Sequence, residues 1–448
     1  MHDYLNEHRA ALIDELADWV RLPSIAGVAE HEPDLARSAN WLAARLGEIG
    51  FPTVGIWPAT SGPAVYAEWC EAPGAPTVLI YSHHDVRAAK DEQWDQTSPF
   101  EPALRRGRLY GRGASDAKGQ VVAHLWGLRA HLRGRGAPAV NLKVLVEGEE
   151  EVGSPGLAAL LDEHEVKADL VLYSDTLLWH AEHPALCLSL RGGINAQLRV
   201  LGPERDVHSG AVSGAAPNPA VALCQLLARL HDERGRITLP GFYDRVVERP
   251  GAYADLPYDD RDWLARSDSR HIVGEHGYTV PQRLWARPAA EVTSLLSGDP
   301  VGAARGAVPA VATAGISIRT VGDQRASEVA EQLRRWVAEA MPEGVEYELT
   351  VAEEVLQEPY RTPDDLPAAA LLAEAMQEGF GVPKVHRMGN AGGGPADLLA
   401  HHVGAPVLFF GTGLPEDCWH DSDESVSIDV LLAGAATLAG FWGRLAEK

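Results

Sequence analysis

The sequence is poor in cysteine and in basic residues, and each shortage excludes a class of protein. Only four of its 448 residues are cysteines, and no two of them stand in a C-x-x-C spacing. A disulfide-stapled fold and a structural zinc knuckle are therefore excluded. Lysine and arginine number 39 against 63 aspartates and glutamates, which gives a net charge of −24. Because nucleic acid binding requires clustered positive charge, we expect neither DNA nor RNA as a partner.

Long apolar runs and a leader-like N-terminus are also missing. No window of about 18 consecutive apolar residues, the length that a membrane-spanning helix requires, occurs in the chain. The opening stretch MHDYLNEHRAALIDEL lacks the basic segment and the apolar segment of a secretory signal. We therefore expect no membrane partner and a cytoplasmic location. The motif G-x-S-x-G after a strand is absent as well, which argues against a serine α/β hydrolase.

What is present is enough apolar sequence for two domains. Hydrophobic residues make up 46% of the chain, and single cores stop growing near about 250–300 residues. Helical periodicity over 3–22 and 34–49 is followed by short apolar runs that predict strands. This alternation is typical of an α/β domain with a largely parallel sheet. The predicted strands of this domain are 64–69, 77–82, 140–148, 168–174 and 405–411.

A different texture begins near residue 191, where apolar and polar residues alternate. This pattern predicts an α+β unit whose sheet has one solvated face. The α/β texture returns after Pro359. The predicted architecture is an α/β domain of residues 1–190 and 356–448, interrupted by an inserted α+β domain of residues 191–355. The predicted elements of the inserted domain are strands 195–202, 312–321 and 345–351 and helices 218–233 and 326–340.

Carboxylates and a histidine stand where predicted strands end. The run VLIYSHHDV ends in His83 and Asp85, Asp116 lies in the turn GRGASDAKG before a helix, and Asp175 follows DLVLYS. Ligands gather at the carboxyl ends of parallel strands. A carboxylate two residues after a histidine can orient an imidazole that binds a metal. Singly, His83 also fits a structural histidine and Asp116 a helix N-cap, but the recurrence favours a ligand site.

Four glutamates crowd into the stretch LVEGEEEVGS, directly after another predicted strand. Carboxylates together with a few imidazoles suit zinc or manganese. Two such sites that share one carboxylate would form a two-metal centre of the hydrolytic type. A spare carboxylate is then required as the general base for water. The four residues are Glu147, Glu149, Glu150 and Glu151.

These motifs resemble the co-catalytic zinc metallopeptidases. That family includes carnosinase-type and Cys-Gly dipeptidases, acetylornithine deacetylase, succinyl-diaminopimelate desuccinylase, aminoacylase and carboxypeptidase G. The motifs SHHDV, GRGASDAKG, EGEEEVGS, YSD and WHDSDES occur in the family's order over nearly the whole chain. The resemblance implies an α/β zinc-peptidase fold with an inserted lid or dimerisation domain. It also implies two divalent metal ions per subunit, zinc first, with manganese or cobalt as alternatives.

The resemblance assigns five metal ligands, and one of them is a carboxylate shared by both metals. The ligands are His83 and Asp175 for one metal, Glu151 and His420 for the other, and Asp116 as the bridge.

Other residues of the same motifs receive supporting or catalytic roles from the resemblance. Asp85 stands behind His83, and Glu150 is the general base for a metal-activated water. Glu147 and Glu149 have no such role and are expected to be solvated or to lie behind the ligands. Relatives also tend to have a cis peptide after the bridging aspartate.

The inserted domain and a late glycine loop are implied to contact the substrate. In RDVHSGAVSG, His208 resembles the histidine that crosses a dimer interface to contact the substrate carbonyl in the partner's site. In GISIRTV, Arg319 resembles an arginine that binds the substrate's C-terminal carboxylate, a use suited to a guanidinium; a strand-edge salt bridge is the alternative. In AGGGPAD, Gly393 and Gly394 are expected to offer backbone N–H groups to an anion.

The resemblance therefore predicts a homodimeric, metal-dependent hydrolase that cleaves dipeptides. The long segment 240–300 resembles the dipeptidase branch of the family, and Arg319 fits a free α-carboxylate. An amidohydrolase of N-acyl amino acids is the alternative, since it uses the same machinery. A catalytically inactive binding protein of the same fold is a third hypothesis, but it would predict substitutions among the metal ligands, and none is found.

Overall fold

The computed structural model describes residues 1–133, 135–299, 302 and 305–447. Strands and helices alternate from residue 53 onward, as the apolar runs predict. Among the described residues the strands are β1 Thr53–Trp57, β2 Ala64–Trp69, β3 Thr77–His83, β4 Ala103–Arg105, β5 Arg108–Tyr110, β6 Asn141–Glu147, β7 Leu170–Tyr173, β8 Ala185–Leu190, β9 Gly192–Leu201, β10 Val207–His208, β11 Ala289–Ser297, β12 Ala307–Val308, β13 Val311–Thr320, β14 Glu346–Val351, β15 Tyr360–Arg361, β16 His386–Asn390, β17 Val407–Phe409 and β18 Ser425–Ser427. The α-helices there are α1 His2–Glu7, α2 Arg9–Val20, α3 Glu32–Ile49, α4 Lys118–Leu132, α5 Leu157–Glu163, α6 Ser209–Val212, α7 Pro219–Leu227, α8 Asp260–Arg266, α9 Val280–Trp285, α10 Ala326–Ala340, α11 Pro367–Phe380, α12 Ala396–Leu399 and α13 Ile428–Ala446.

A six-stranded sheet in the order β1-β2-β6-β3-β7-β17 forms the centre of the molecule. The strands β6, β3, β7 and β17 run parallel, and β1 and β2 add an antiparallel edge. Side chains of β3 alternate between two hydrophobic cores: Val78 and Ile80 pack on one face, and Leu79 and Tyr81 pack on the other. Burial on both faces explains the continuous apolar runs of these strands, and the predicted mostly parallel α/β class is confirmed.

Helix α13 is a core helix by its environment. It is the one helix in the described part of the chain that is long and apolar enough to cross a membrane, and 72% of its apolar window is buried inside the fold. Its buried side chains pack with those of α4 and α11 in the core on one face of the central sheet. The apolar composition of α13 is therefore explained by packing against protein.

A second sheet, in the order β11-β13-β9-β14, is antiparallel throughout. Along β9, Ile194, Ala196, Leu198 and Val200 are buried while the residues between them are exposed. Helices α7 and α10 cover the apolar face and complete a core drawn from residues 194–351. The predicted one-sided α+β sheet is therefore observed, while the domain boundaries at 190/191 and 355/356 stay predictions.

Two helices were predicted too long and one strand was missed. The helix predicted over 218–233 ends at Leu227, because the chain then turns back to form a bridge between His231 and Ile237. The helix predicted over 3–22 is broken at His8, whose Nδ1 atom donates a hydrogen bond to the Tyr4 carbonyl at 2.8 Å and whose ring packs against the Tyr4 ring at a tilt of 36°. Strand β11 was missed because seven of its nine residues are exposed, so its sequence has no clear apolar alternation. β11 lies at the edge of the second sheet.

Candidate metal centre

The carboxyl ends of three parallel strands meet on one side of the central sheet. β3 ends at His83, β6 ends at Glu147, and β7 ends two residues before Asp175. In the strand register His83 lies opposite Glu147. The turns after these strands therefore carry the predicted site residues to one place, as expected for ligand sites in parallel sheets.

The first group of ligand atoms comes from His83, Glu150 and Asp175. One ligand atom from each lies within 4.8 Å of the others, and Nε2 of His83 is 3.7 Å from Oδ1 of Asp175. That Oδ1 atom is buried and accepts no hydrogen bond from any residue that the structure describes. Because a buried carboxylate oxygen without a donor is costly, this atom fits a position that faces a cation.

The second group comes from Asp116, Glu151 and His420, again within 4.8 Å of one another. Nε2 of His420 lies 2.9 Å from Oδ2 of Asp116 and 3.1 Å from Oε2 of Glu151. The Nε atom of Arg87 also donates to Oε2 of Glu151 at 2.8 Å. Sequence analysis did not single out Arg87, which follows the motif SHHDV directly.

Asp116 connects the two groups. Its Oδ1 atom lies 3.2 Å from Nε2 of His83, while its Oδ2 atom faces His420. One oxygen of the Asp116 carboxylate thus lies near each histidine, which is the arrangement that a ligand shared by two metals requires. The Asp116–Ala117 peptide bond is cis, as the resemblance implies.

Negative charge is concentrated at this place. Burial raises the pKa of Glu150 well above its ordinary value, and burial also raises the pKa values of Glu151 and Asp175. Hydrogen bonds with Asp116 and Glu151 raise the pKa of His420 to about 10. Four carboxylates and two imidazoles in two adjoining groups fit a pair of divalent cations, whose charge would offset this repulsion.

Asp85 lies on the other side of the His83 ring. Its Oδ1 atom is 3.4 Å from Nδ1 of His83. The same carboxylate accepts backbone N–H bonds from Glu150 at 3.3 Å and from Glu151 at 2.9 Å. Asp85 therefore orients one imidazole and also fixes the start of the turn that carries two site glutamates.

Glu147 and Glu149 are not solvated, so the first of the two expectations for them was wrong. Glu147 is fully buried, receives hydrogen bonds from Tyr81 and from Ser154, and has a pKa raised to about 8 by burial. Glu149 accepts the N–H of Ser61 at 2.7 Å and the N–H of Gly156 at 2.5 Å. Glu149 therefore holds two backbone N–H groups in place, while Glu147 joins the side chains of Tyr81 and Ser154.

His208 does not reach the metal centre of its own chain. It is the exposed residue of the two-stranded pair of β10 and β12, and its Nδ1 atom accepts the N–H of Gly210 at 3.0 Å. None of the hydrogen bonds or ion pairs of the described residues joins His208 to either ligand group. The neighbour of the first ligand, His84, is buried and turned away, with Nε2 2.8 Å from the carbonyl of Pro63.

Arg319 and the glycine loop lie together. A side chain at Gly193 would come within 3.3 Å of both Arg319 and Gln357, and one at Gly393 would collide with Gln357. In the described residues Arg319 makes no ion pair or hydrogen bond, so the alternative of a strand-edge salt bridge is not observed. A side chain at Gly394 would collide with the hydroxyl of Tyr173. The same hydroxyl lies 3.5 Å from Oδ2 of Asp175, a member of the first ligand group.

Sequence analysis missed two polar residues at this loop. The Arg191 guanidinium donates through Nε to the carbonyl of Ala391 at 3.0 Å. Burial and the charge of Arg319 lower the pKa of Arg191 to about 10. Gln357 lies between Arg319 and Gly393. The only sequence signal for Arg191 was its place between two strands, and Gln357 carried none.

Glu424 was also missed, although it belongs to the quoted motif WHDSDES. It is fully buried and accepts hydrogen bonds from the backbone N–H groups of Gly113, Ser115 and Asp116. Asp417, buried nearby, accepts the hydroxyl of Ser115 at 2.5 Å. A spacing of four residues after His420 was the signal that could have pointed to Glu424.

Comparison with known proteins identifies the family to which this chain is similar. A model of peptidase family M20/M25/M40 matches residues 79–444. A cysteinylglycine-S-conjugate dipeptidase of Corynebacterium striatum is 31% identical over 94% of this chain and 92% of that protein. A Cys-Gly metallodipeptidase of Candida albicans is 28% identical over 98% of this chain and 96% of that protein.

Solved structures agree in fold. An M20 family metallo-carboxypeptidase of Sulfolobus solfataricus superposes with a TM-score of 0.86 at 25% identity, over 98% of this chain and 99% of that one. Human carnosine dipeptidase 1 superposes with a TM-score of 0.83 at 24% identity, over 100% and 98%. A dinuclear metal-binding peptidase of Bacillus subtilis, with a TM-score of 0.59 at 13% identity over 99% of each chain, belongs to the same family. With a family model matched over most of its length and a relative above 30% identity, this chain belongs to peptidase family M20/M25/M40.

Proposed function

We propose that this protein is a metal-dependent dipeptidase that hydrolyses the single peptide bond of dipeptides. The observation that carries the proposal is the pair of ligand groups joined by Asp116, in which Glu150 is the one carboxylate of the first group that the resemblance does not assign to a metal. No described residue forms a hydrogen bond with the Glu150 side chain, which leaves its carboxylate free for a proton. The names of the relatives, Cys-Gly dipeptidase and Beta-Ala-His dipeptidase among them, support this substrate class.

The residues of the chain divide the chemistry among them. Two divalent ions on these ligands would polarise the scissile carbonyl and lower the pKa of water toward neutrality. Glu150 accepts the proton of the attacking water and later donates it to the leaving amine. In the metal-free protein burial raises the pKa of Glu150, which favours acceptance of the proton. Asp85 holds His83 in one orientation throughout.

Arg319 and the glycine loop form the proposed site for the substrate's C-terminal carboxylate. Arg319 is partly buried and has no counter-ion among the described residues, and Arg191 brings a second guanidinium close to it. The backbone N–H groups of Gly393 and Gly394 donate to no described residue. Free guanidinium and amide donors around one space recognise a carboxylate.

An N-acyl amino acid amidohydrolase remains the alternative function. Its substrates present the same C-terminal carboxylate to Arg319 and the same scissile carbonyl to the metal centre. The two substrate classes differ at the other end, where a dipeptide has a free amine and an N-acyl amino acid has none.

We propose that the active form is a homodimer. His208 is exposed and stands apart from the metal centre of its own chain, so a role in catalysis requires a second copy. The edge strand β11 exposes Leu295 at 52% and Leu296 at 58%, and no described strand pairs with its outer side. Apolar residues on an open strand edge suit pairing with another strand. The partner subunit's His208 would then contact the substrate carbonyl.

Zinc is the proposed metal. Two imidazoles with carboxylates form a ligand set that zinc accepts, and manganese or cobalt would fit the same set.

The cytoplasm is the proposed location of the protein. The four cysteines are unpaired, which agrees with a reducing compartment.

One experiment tests the proposed function directly. The purified protein is analysed for bound metal and assayed on a panel of dipeptides and a panel of N-acyl amino acids. We expect about two divalent ions per chain and hydrolysis of the dipeptides. Activity on the N-acyl amino acids alone would support the amidohydrolase function and contradict the dipeptidase function. Activity of the protein without bound metal would contradict both proposed functions.

A further inference from the structure

We propose that Glu424 is a positioning residue that sets the distance between Asp116 and His420 and thereby the affinity of the second ligand group for its metal. The inference rests on the proposed function only in that the two groups bind ions. It concerns a side chain that touches neither metal nor substrate. Asp116 and Glu424 are 308 residues apart in the sequence, so their contact joins two distant parts of the chain.

The carboxylate of Glu424 is saturated with donors from one loop. Its Oε1 atom accepts the backbone N–H groups of Ser115 and Asp116, each at 3.0 Å. Its Oε2 atom accepts the N–H of Gly113 at 2.9 Å and Nη1 of Arg112 at 2.7 Å. The side chain of Glu424 is fully buried. Four donors converge on one carboxylate, and three of them are backbone groups of the loop that ends in Asp116.

The same contacts hold the segment that carries His420. The carbonyl of Glu424 accepts the N–H of Gly111 at 2.9 Å, and Nη2 of Arg112 donates to the carbonyl of Asp421 at 3.1 Å. Nε1 of Trp419, the neighbour of His420, donates to Oγ of Ser115 at 2.7 Å. The two segments are therefore tied together on both sides of the ligand pair Asp116 and His420.

Only a carboxylate satisfies this arrangement. All four partners of Glu424 are donors, and a glutamine in its place would have one oxygen and one NH₂ group. Whichever way the amide is turned, its NH₂ group faces two donors. The loop must then shift or leave buried N–H groups without an acceptor, and either result moves Asp116 relative to His420. Removal of groups that orient metal ligands typically weakens metal binding by about 10–100-fold.

The test compares zinc binding by Glu424→Gln with that of a matched control. Glu275→Gln removes the charge of another buried glutamate paired to an arginine, Arg287, at 2.7 and 2.8 Å, in the inserted part of the chain. Metal-free protein is titrated with Zn²⁺ against a chromophoric chelator. We expect Glu424→Gln to bind one ion about 10–100-fold more weakly than the unchanged protein, and Glu275→Gln to keep both affinities within about threefold.

A second readout separates positioning from a loss of fold. If Glu424 acts through metal affinity, turnover of Glu424→Gln rises toward that of the unchanged protein as free Zn²⁺ is increased, while its melting temperature without metal stays near that of Glu275→Gln. Two unchanged zinc affinities in a folded Glu424→Gln protein would overturn the proposal. So would an equal weakening in both variants.

Glu424→Asp serves where the glutamine variant fails to fold. It keeps the charge but withdraws the carboxylate by one methylene, and we expect a smaller weakening of the same single ion; unchanged binding in Glu424→Asp would overturn the proposal. A protein that binds two zinc ions but cleaves no dipeptide would refute the proposed function and leave the zinc titration of Glu424 valid.

Discussion

The Oδ1 atom of Asp85 lies 3.4 Å from Nδ1 of His83, on the far side of the imidazole from Asp116 and Asp175. The carbonyl oxygen of Asp85 lies closer to the same Nδ1 atom, at 3.1 Å, so Asp85 addresses this ring nitrogen with its backbone and its side chain. Replacing Asp85 by Asn leaves the carbonyl contact but removes the charge beside Nδ1 and one of the two oxygens that accept the N–H groups of Glu150 and Glu151. We expect zinc affinity to fall by about 10–100-fold, as measured by chelator competition. Full affinity in Asp85→Asn would remove Asp85 from the set of supporting residues.

Glu150→Gln separates proton transfer from metal binding. The amide cannot accept the proton of the attacking water, so we expect kcat to fall by a factor on the order of 10²–10⁴ or more. The metal content should remain near two ions per chain, because the five assigned ligands are unchanged. Glu163→Gln, on the exposed surface of α5, is the control and should keep full turnover. Substantial activity in Glu150→Gln would show that another group is the base.

Arg319→Ala should impair recognition of the substrate's carboxylate. Loss of hydrogen bonds to a charged group costs roughly 1.5–3 kcal/mol, which corresponds to a reduction of kcat/KM by about 10–100-fold. The unchanged enzyme should also discriminate against dipeptides whose C-terminus is an amide, and Arg319→Ala should not. The control is Arg199→Ala. Arg199 lies on the neighbouring strand β9 and forms an exposed ion pair with Glu348. Equal discrimination by all three proteins would exclude Arg319 from carboxylate binding.

Removal of metal should abolish activity and lower stability together. Treatment with a chelator is expected to stop dipeptide hydrolysis, and added Zn²⁺ to restore it. At a free zinc concentration of about 100 times the Kd, one bound ion stabilises the folded state by about 2.7 kcal/mol. Calorimetry with and without Zn²⁺ should therefore show a rise in Tm on zinc addition. An unchanged Tm would mean that zinc does not bind the folded protein at this centre.

His124 should make the metal-free protein sensitive to acid. Burial lowers its pKa from 6.5 to about 3 in the folded state. Below pH 6.5 the unfolded chain takes up a proton that the folded protein does not, so stability falls as the pH decreases toward 3. At pH 5 this amounts to about 2 kcal/mol. Denaturant unfolding should show that His124→Gln loses less stability than the unchanged protein between pH 7 and 5. Parallel curves would contradict the assignment.

Apolar runs in the sequence predicted the strand ends at which His83 and Asp175 lie, whereas Glu151 and His420 were assigned as ligands only by the resemblance to the metallopeptidases; the structure brings all four close to Asp116 or to one another. His83 and Asp175 follow apolar runs, and the ends of such runs are visible without coordinates because a buried parallel strand is apolar along its length. The topology of the sheet then gathers these ends on one side. The mostly parallel sheet and the one-sided second sheet were predictable for the same reason, since both leave a periodic signal.

What escaped prediction depends on contacts between distant segments. Glu424 acts on a loop some 300 residues earlier, and nothing in its own surroundings in the sequence records that partner. Gln357 is placed beside Arg319 only by the path of the backbone around Gly193. Glu147 and Glu149 resemble surface charges in the sequence. Their burial is possible because hydrogen-bond donors from elsewhere in the chain, such as the N–H of Ser61, contact these carboxylates.

The separation of Asp116 from Glu424 has a consequence during synthesis of the protein. At a translation rate of ~5–20 residues per second, the ribosome needs about 15–60 s to add the 308 residues between them. His83, Asp116, Glu150, Glu151 and Asp175 are all made early, but the second group lacks His420 until that interval is nearly over. The growing chain therefore carries an incomplete second ligand group for nearly all of that interval. The second ligand group is complete only after the segment that carries His420 and Glu424 has packed against the loop of Asp116.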